Sequence, residues 1–129
     1  MDATMEAVLR RLEQASGHDR DLDRAIAEIV GNPDACRGRA FTASVDDSRW
    51  VVTRMLPGWS CHIGYDARGM FPYAVVTDGA HRCEAAAPTV PLALLRAALR
   101  GYAAGLDDQR DRTRIATGSP TAGRSGVPG

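Results

Sequence analysis

The chain has no lysine. All 16 basic residues are arginine, and 16 acidic residues balance them to a formal net charge of zero. That balance excludes the global basic field of a sequence-independent nucleic-acid coat or a polybasic membrane binder. The exclusive use of arginine reads as a coding bias of GC-rich DNA and not as chemistry. Three cysteines cannot all pair within one chain, which excludes a closed disulfide scaffold and suits a reducing compartment. No apolar run approaches the roughly 20 residues of a spanning helix. The amino terminus carries no charged lead, apolar stretch and cleavage site, so no secretory signal is expected. There is no P-loop, no G-x-G-x-x-G after a strand and no G-x-S-x-G, so nucleotide binding and a serine-hydrolase elbow have no support.

What remains is 129 residues of ordinary composition, 44% hydrophobic and 25% charged. That is enough for one domain and one core. A first helix is expected over 4–15, where Met5, Val8, Leu9 and Leu12 form one apolar stripe and Ser16-Gly17 stops it. A second is expected over 20–30, capped by Asp19, with Leu22, Ile26, Ile29 and Val30 inward and Gly31-Asn32-Pro33 at its end. The two make a helical hairpin. Residues 32–39 read as a loop and 41–43 as extended. Ser44 opens a third helix with a capping-box partner at Asp47. Val45, Arg49, Val52 and Leu56 share its inner face, widened by Trp50 and Met55, and Pro57-Gly58 ends it.

The clearest strand follows. Trp59, Cys61, Ile63 and Tyr65 alternate with Ser60, His62 and Gly64, so the four large side chains should form one buried wall. A turn over 66–69 leads to a second strand over 72–77, apolar on both faces and so expected to be covered on both. Asp78-Gly79 is a hairpin signal, and a third strand spans 81–86. Thr89 caps a last helix with Pro91 in its first turn and a stripe of Leu92, Leu95, Leu99 and Tyr102; Gly105 should end it. Residues 106–129 are poor in large apolar groups and are expected to be a disordered tail. The order is α-α-α-β-β-β-α. The expected architecture is an α+β, three-layer α/β/α sandwich over 1–105 with a small three-stranded antiparallel sheet, the helical hairpin (4–30) docking on the face opposite the last helix.

Three stretches taken together look like a known family. They are Leu12-Glu13-Gln14-Ala15-Ser16-Gly17 followed by Asp19-Arg20-Asp21-Leu22-Asp23; Phe41-Thr42-Ala43-Ser44-Val45-Asp46 running to Leu56-Pro57-Gly58-Trp59; and 86–99 around Thr89-Val90-Pro91-Leu92. In that order, over roughly 9–104, the chain resembles the phage α-β-α (ABA) sandwich domain family, small proteins of phages and prophages. The resemblance implies the three-layer fold, a place in the bacterial host cytoplasm, and no activity or catalytic residue. Two features depart from the family pattern: the short loop between Gly31 and Phe41 lacks aromatics, and Val90 separates Thr89 from Pro91.

Few groups carry chemistry. Cys61, His62, His81 and Cys83 are the residues from which a zinc site would be built, but they have no C-x-x-C knuckle, and structural cysteines are the simpler reading. Cys83 with His62 or His81, oriented by Asp78 or Glu84, would be a thiol nucleophile pair, yet no oxyanion hole or pocket is legible. Asp19-x-Asp21-x-Asp23 mimics a calcium loop but has Arg24 where glycine is needed and Val30 where glutamate is, so these are helix N-terminal acids. The order α-β-β-β-α from Ser44 onward is that of a double-stranded RNA-binding domain, but the last helix opens uncharged. The expectation is therefore a non-enzymatic accessory protein with no metal and no cofactor, binding a host or phage protein or a second copy of itself. Nucleic-acid binding is the alternative, a Cys/His metal- or thiol-dependent enzyme the third reading, and no membrane partner is expected. Trp50 and Phe71 are the interface candidates.

Overall fold

The computed structural model describes residues 3–118, with side chains placed over 3–105. Helix α1 (Ala3–Gln14) buries Met5, Val8 and Leu12, and α2 (Arg20–Val30) buries Leu22 and Ile26. Asp19 caps α2 by accepting a hydrogen bond from the Leu22 amide at 3.0 Å, as expected of a short acceptor there. Gly31, at φ 82°, closes the helix in the left-handed conformation that a side chain would resist.

The segment read as a loop holds one short helix, α3 (Pro33–Cys36), with Asn32 accepting from the Ala35 amide. Four residues are too few for periodicity to register. Residues 41–43 form a turn, not an extended segment: the Ala43 and Ser44 amides both bond to the Ala40 carbonyl, and Phe41 is buried. Helix α4 (Val45–Met55) starts at the expected cap, Ser44, which accepts from the Asp47 amide at 3.1 Å. Its buried face is Ser48, Val51, Val52 and Met55, rotated from the expected one. Val45 and Arg49 lie outside, and Ser48 takes an inner position with its hydroxyl satisfied by the Ser44 and Val45 carbonyls.

Strands β1 (Ser60–Tyr65), β2 (Pro72–Thr77) and β3 (Arg82–Ala86) form an antiparallel sheet in the order β1-β2-β3. The register pairs His62 with Val75 and Val75 with Glu84; Cys61 and Cys83 flank Val76 on the other face. The last helix is α5 (Val90–Gly118). It does not end at Gly105. Two glycines cost a helix only about 1 kcal/mol each, and no proline interrupts 106–118. The expected disordered tail thus meets helical backbone as far as Gly118, and its remainder, 119–129, lies outside the described residues.

The fold is α+β, with five helices and one three-stranded antiparallel sheet among the described residues. The stacking differs from the expected sandwich in one respect. Helix α5 covers one face of the sheet through β2 and β3, and α1 and α4 pack on α5, with α2 behind them. The helical hairpin therefore docks on α5 and not on the far face of the sheet. The reason lies in α5 itself. Leu92, Ala93, Leu94, Leu95, Ala97, Ala98 and Leu99 are all fully buried, so α5 is apolar all round and must be covered on every side. Reading only its leucine stripe hid this, because the alanines fill the rest of the circumference.

Candidate functional site

The far face of the sheet carries Ser60, His62, Gly64, Tyr73, Val75, Thr77, Arg82, Glu84 and Ala86. Val75 is only 6% exposed without a helix above it. Its cross-strand neighbours His62 and Glu84 flank it, and the Tyr73 ring tilts toward His62 at 6.3 Å. This explains why β2 is apolar on both faces while only one is covered by helix.

At one end of the sheet, β1 and β2 are joined by a turn whose backbone satisfies itself. The Asp66 carboxylate accepts from the Arg68 and Met70 amides at 3.1 and 3.0 Å, and the Gly69 amide bonds to the Asp66 carbonyl. Gly69 sits at φ 69°, which the turn requires. With the turn closed on itself, its neighbours project outward: Tyr65 is 58% exposed, Met70 61% and Phe71 49%. Of the expected wall, Trp59, Cys61 and Ile63 pack against the core, but Tyr65 does not. It is the last residue of β1, at the hairpin end of the strand.

The two interface candidates separate here. Phe71 is exposed at this hairpin tip. Trp50 is half-buried, stacked on Phe41 at 6.1 Å, with the Arg39 guanidinium 3.9 Å and that of Arg54 5.6 Å from its ring. Arg39 is itself held by the Ala35 carbonyl at 2.8 Å and Asp47 at 3.1 Å. Trp50 is thus part of a built cation–π stack, and Phe71 is the better presented of the two.

The candidate Cys and His residues fall in three places. His62 is on the far face. Cys61 and Cys83 point to the α5 side, separated by Val76. His81 belongs to the β2–β3 turn, where its ring Nδ1 lies 3.2 Å from Asp78 and its plane stacks on Trp59 at 6.3 Å. Asp78 also accepts from the His81 and Ala80 amides at 2.6 and 2.9 Å. Its carboxyl is held below the ordinary 3.8, first by the His81 amide and then by the His81 ring. A cleft of about 170 Å³ is lined by Trp59, Asp78, His81, Cys83 and the small residues Gly101, Ala104 and Gly105. Among the described residues no three His, Cys, Asp or Glu side chains converge as a metal set. The pseudo-calcium acids diverge as well: Asp19 caps α2, Asp21 pairs with Arg24, and Asp23 bonds to Thr42.

Two positions that sequence reasoning passed over organise this region. Arg96 and Arg100 of α5 reach the β3 edge. Arg96 Nη1 donates to the Ala86 carbonyl at 2.8 Å and Arg100 Nη1 to that of Glu84 at 3.3 Å, while Arg100 also pairs with Glu13. An arginine inside an otherwise apolar helix was the available signal. Among the described residues no helix is long and apolar enough to cross a membrane. Compared with known protein families, with curated proteins and with solved structures, the chain matches none.

Proposed function

We propose that the chain is a non-enzymatic protein-binding module, a phage or prophage accessory protein whose partner is another protein or a second copy of the chain. Its contact surface is the β1 side of the sheet, centred on the β1–β2 hairpin. The observation that carries this reading is the grouping of exposed apolar side chains. Four large hydrophobic residues are exposed among the described residues, and three of them, Tyr65, Met70 and Phe71, stand together at one hairpin. Scattered apolar exposure is ordinary, whereas a cluster on a self-satisfied turn suits an interface. The fourth, Val45, stands apart at the start of α4.

Charge pairing works against the nucleic-acid alternative. Arg24 pairs with Asp21, Arg37 with Asp34, Arg39 with Asp47, Arg82 with Glu84 and Arg100 with Glu13. A phosphate-binding surface needs arginines clear of carboxylates. The test is a pull-down with the full chain and with a Met70→Ser, Phe71→Ser variant, each with and without nuclease. A protein retained by the native chain, lost with the variant and indifferent to nuclease is expected. Equal recovery by both chains, or loss on nuclease treatment, overturns the reading.

A further inference from the structure

An edge strand exposes unpaired N–H and C=O groups that template another strand, so edges are usually blunted. The two edges of this sheet are treated oppositely. On β3 the register turns the backbone groups of Arg82, Glu84 and Ala86 away from β2. The carbonyls of Glu84 and Ala86 are taken by Arg100 and Arg96, and the strand itself carries charges at Arg82 and Glu84. On β1 the register turns the N–H and C=O of Cys61, Ile63 and Tyr65 outward. No described residue bonds to them. The strand, Ser-Cys-His-Ile-Gly-Tyr, contains no proline and no arginine, aspartate or glutamate.

We propose that this edge is the docking site for a second copy of the chain. The two β1 strands pair antiparallel about a twofold axis at Ile63 and join two three-stranded sheets into one of six strands. The proposal rests on the protein-binding reading and names its partner. The outward groups are self-complementary. Residues 61, 63 and 65 are evenly spaced about Ile63, so one register pairs Ile63 with the partner's Ile63 and Cys61 with the partner's Tyr65. Every outward N–H and C=O on both strands is then satisfied at once, the isologous arrangement that a twofold axis demands. The register sets no like charges together: Asp66 comes opposite the partner's Ser60, and His62 opposite the partner's Gly64.

The same register covers Tyr65. Its side chain shares the α5-side face with Cys61 and Ile63 and is 58% exposed in the single chain. Paired, it lies across from the partner's Cys61 and diagonal to the partner's Trp59 and Ile63, within the reach of an aromatic ring. A six-residue strand pair buries less than the ~1,200 Å² of a standard stable interface, so the association is reversible and concentration-dependent.

The test is covalent trapping with the full chain carrying Tyr65→Cys. Opposed residues of a hydrogen-bonded pair have Cα atoms about 5.5 Å apart, within disulfide range. Within one strand, residues 61 and 65 are about 13 Å apart and cannot bridge. Mild oxidation should give a covalent dimer whose linked peptides join Cys61 to the introduced cysteine, with sedimentation of the unmodified chain rising toward twice the monomer mass as concentration increases. Tyr65→Asp should abolish that rise with its circular dichroism unchanged. A single-chain mass at every concentration, or cross-links spread at random over the cysteines, overturns the proposal. If the mass stays single while the Met70→Ser, Phe71→Ser chain still loses a captured protein, the second copy is wrong and the binding-module reading stands. If the dimer forms and that variant captures as before, the hairpin reading falls and the edge pairing stands.

Discussion

The guanidinium of Arg96 on α5 donates through Nε to the carbonyl of Leu12 on α1 at 2.8 Å, joining residues 84 positions apart. The same group bonds to the carbonyls of Glu13, Ala15 and Ala86. It therefore closes the open end of α1 and the outer edge of β3 together, two places where backbone carbonyls lack partners in their own elements. Its burial lowers its pKa first of all, partly countered by the Glu13 carboxylate. An arginine in such a place remains charged at neutral pH.

Removing it leaves several carbonyls without donors in a site that water reaches poorly. Arg96→Met should cost about 3–5 kcal/mol of unfolding free energy, the range found when one member of a buried charged network is deleted. Arg96→Lys should recover less than half, because one ammonium cannot span the four acceptors. Urea denaturation followed by circular dichroism measures both. A loss below about 1 kcal/mol for the methionine variant would show that the carbonyls are solvated without it.

Asp23 is a second buried junction, between α2 and the turn before α4. Its carboxylate accepts from the Thr42 amide and hydroxyl, both at 2.8 Å, and lies 3.1 Å from the His18 ring. The Thr42 hydroxyl in turn accepts from the Asp19 amide at 2.9 Å. Asp23→Ala should destabilise the chain by about 2–3 kcal/mol, and Thr42→Val by about 1–2, through unsatisfied buried partners. The double variant should fall short of the sum, because the two residues share one network. Strict additivity in the double-mutant cycle would contradict the shared network.

Gly101 is a helical glycine in the core. A Cβ there would meet Leu56 Cδ1 and Val76 Cγ2 at 3.4 Å and Trp59 Cζ3 at 3.6 Å, near ordinary contact. Gly101→Ala should therefore stabilise the fold by about 0.5–1 kcal/mol through helix propensity. Gly101→Leu should destabilise it by overpacking. Thermal melts of the two variants test the pair of opposite signs.

The Asp78 carboxyl is held below its ordinary value of 3.8, chiefly by the His81 amide, then by the His81 ring. A carboxyl whose pKa falls on folding contributes stability that is fully present above the unfolded value. That contribution is lost as pH falls from about 3.8 through the folded value. Carboxyl NMR titration of the native chain should place Asp78 below the free aspartate range, and His81→Ala should move it upward. An unshifted midpoint in the native chain would remove the assignment. The effect on global stability should be small, because the group lies at the surface.

Local signals were sufficient for most of the secondary structure. Asp19 and Ser44 cap where short acceptors at helix starts must. The period-two stretch before Tyr65, the turn at Asp78-Gly79 and the apolar run at Val75-Val76 marked three strands in their observed order. The α3 turn was too short to leave a period, and residues 41–43 follow the Asp23–Thr42 contact, which joins positions 19 apart and has no local signature.

The candidate surface was only half legible. Phe71 could be picked out as an aromatic in a turn, but Tyr65 counted as core by alternation, which does not show that the last residue of β1 lies outside the core. The sequence by itself determined most of the segments that are helix and strand, because propensity, capping and period act over a few residues. Tertiary structure alone decided which side of the sheet is bare, since that depends on α5 being buried around its whole circumference. It also decided which edge is open, since Arg96 and Arg100 lie on one side of α5 and reach β3, leaving the outward backbone groups of Cys61, Ile63 and Tyr65 on β1 with no donor or acceptor among the described residues.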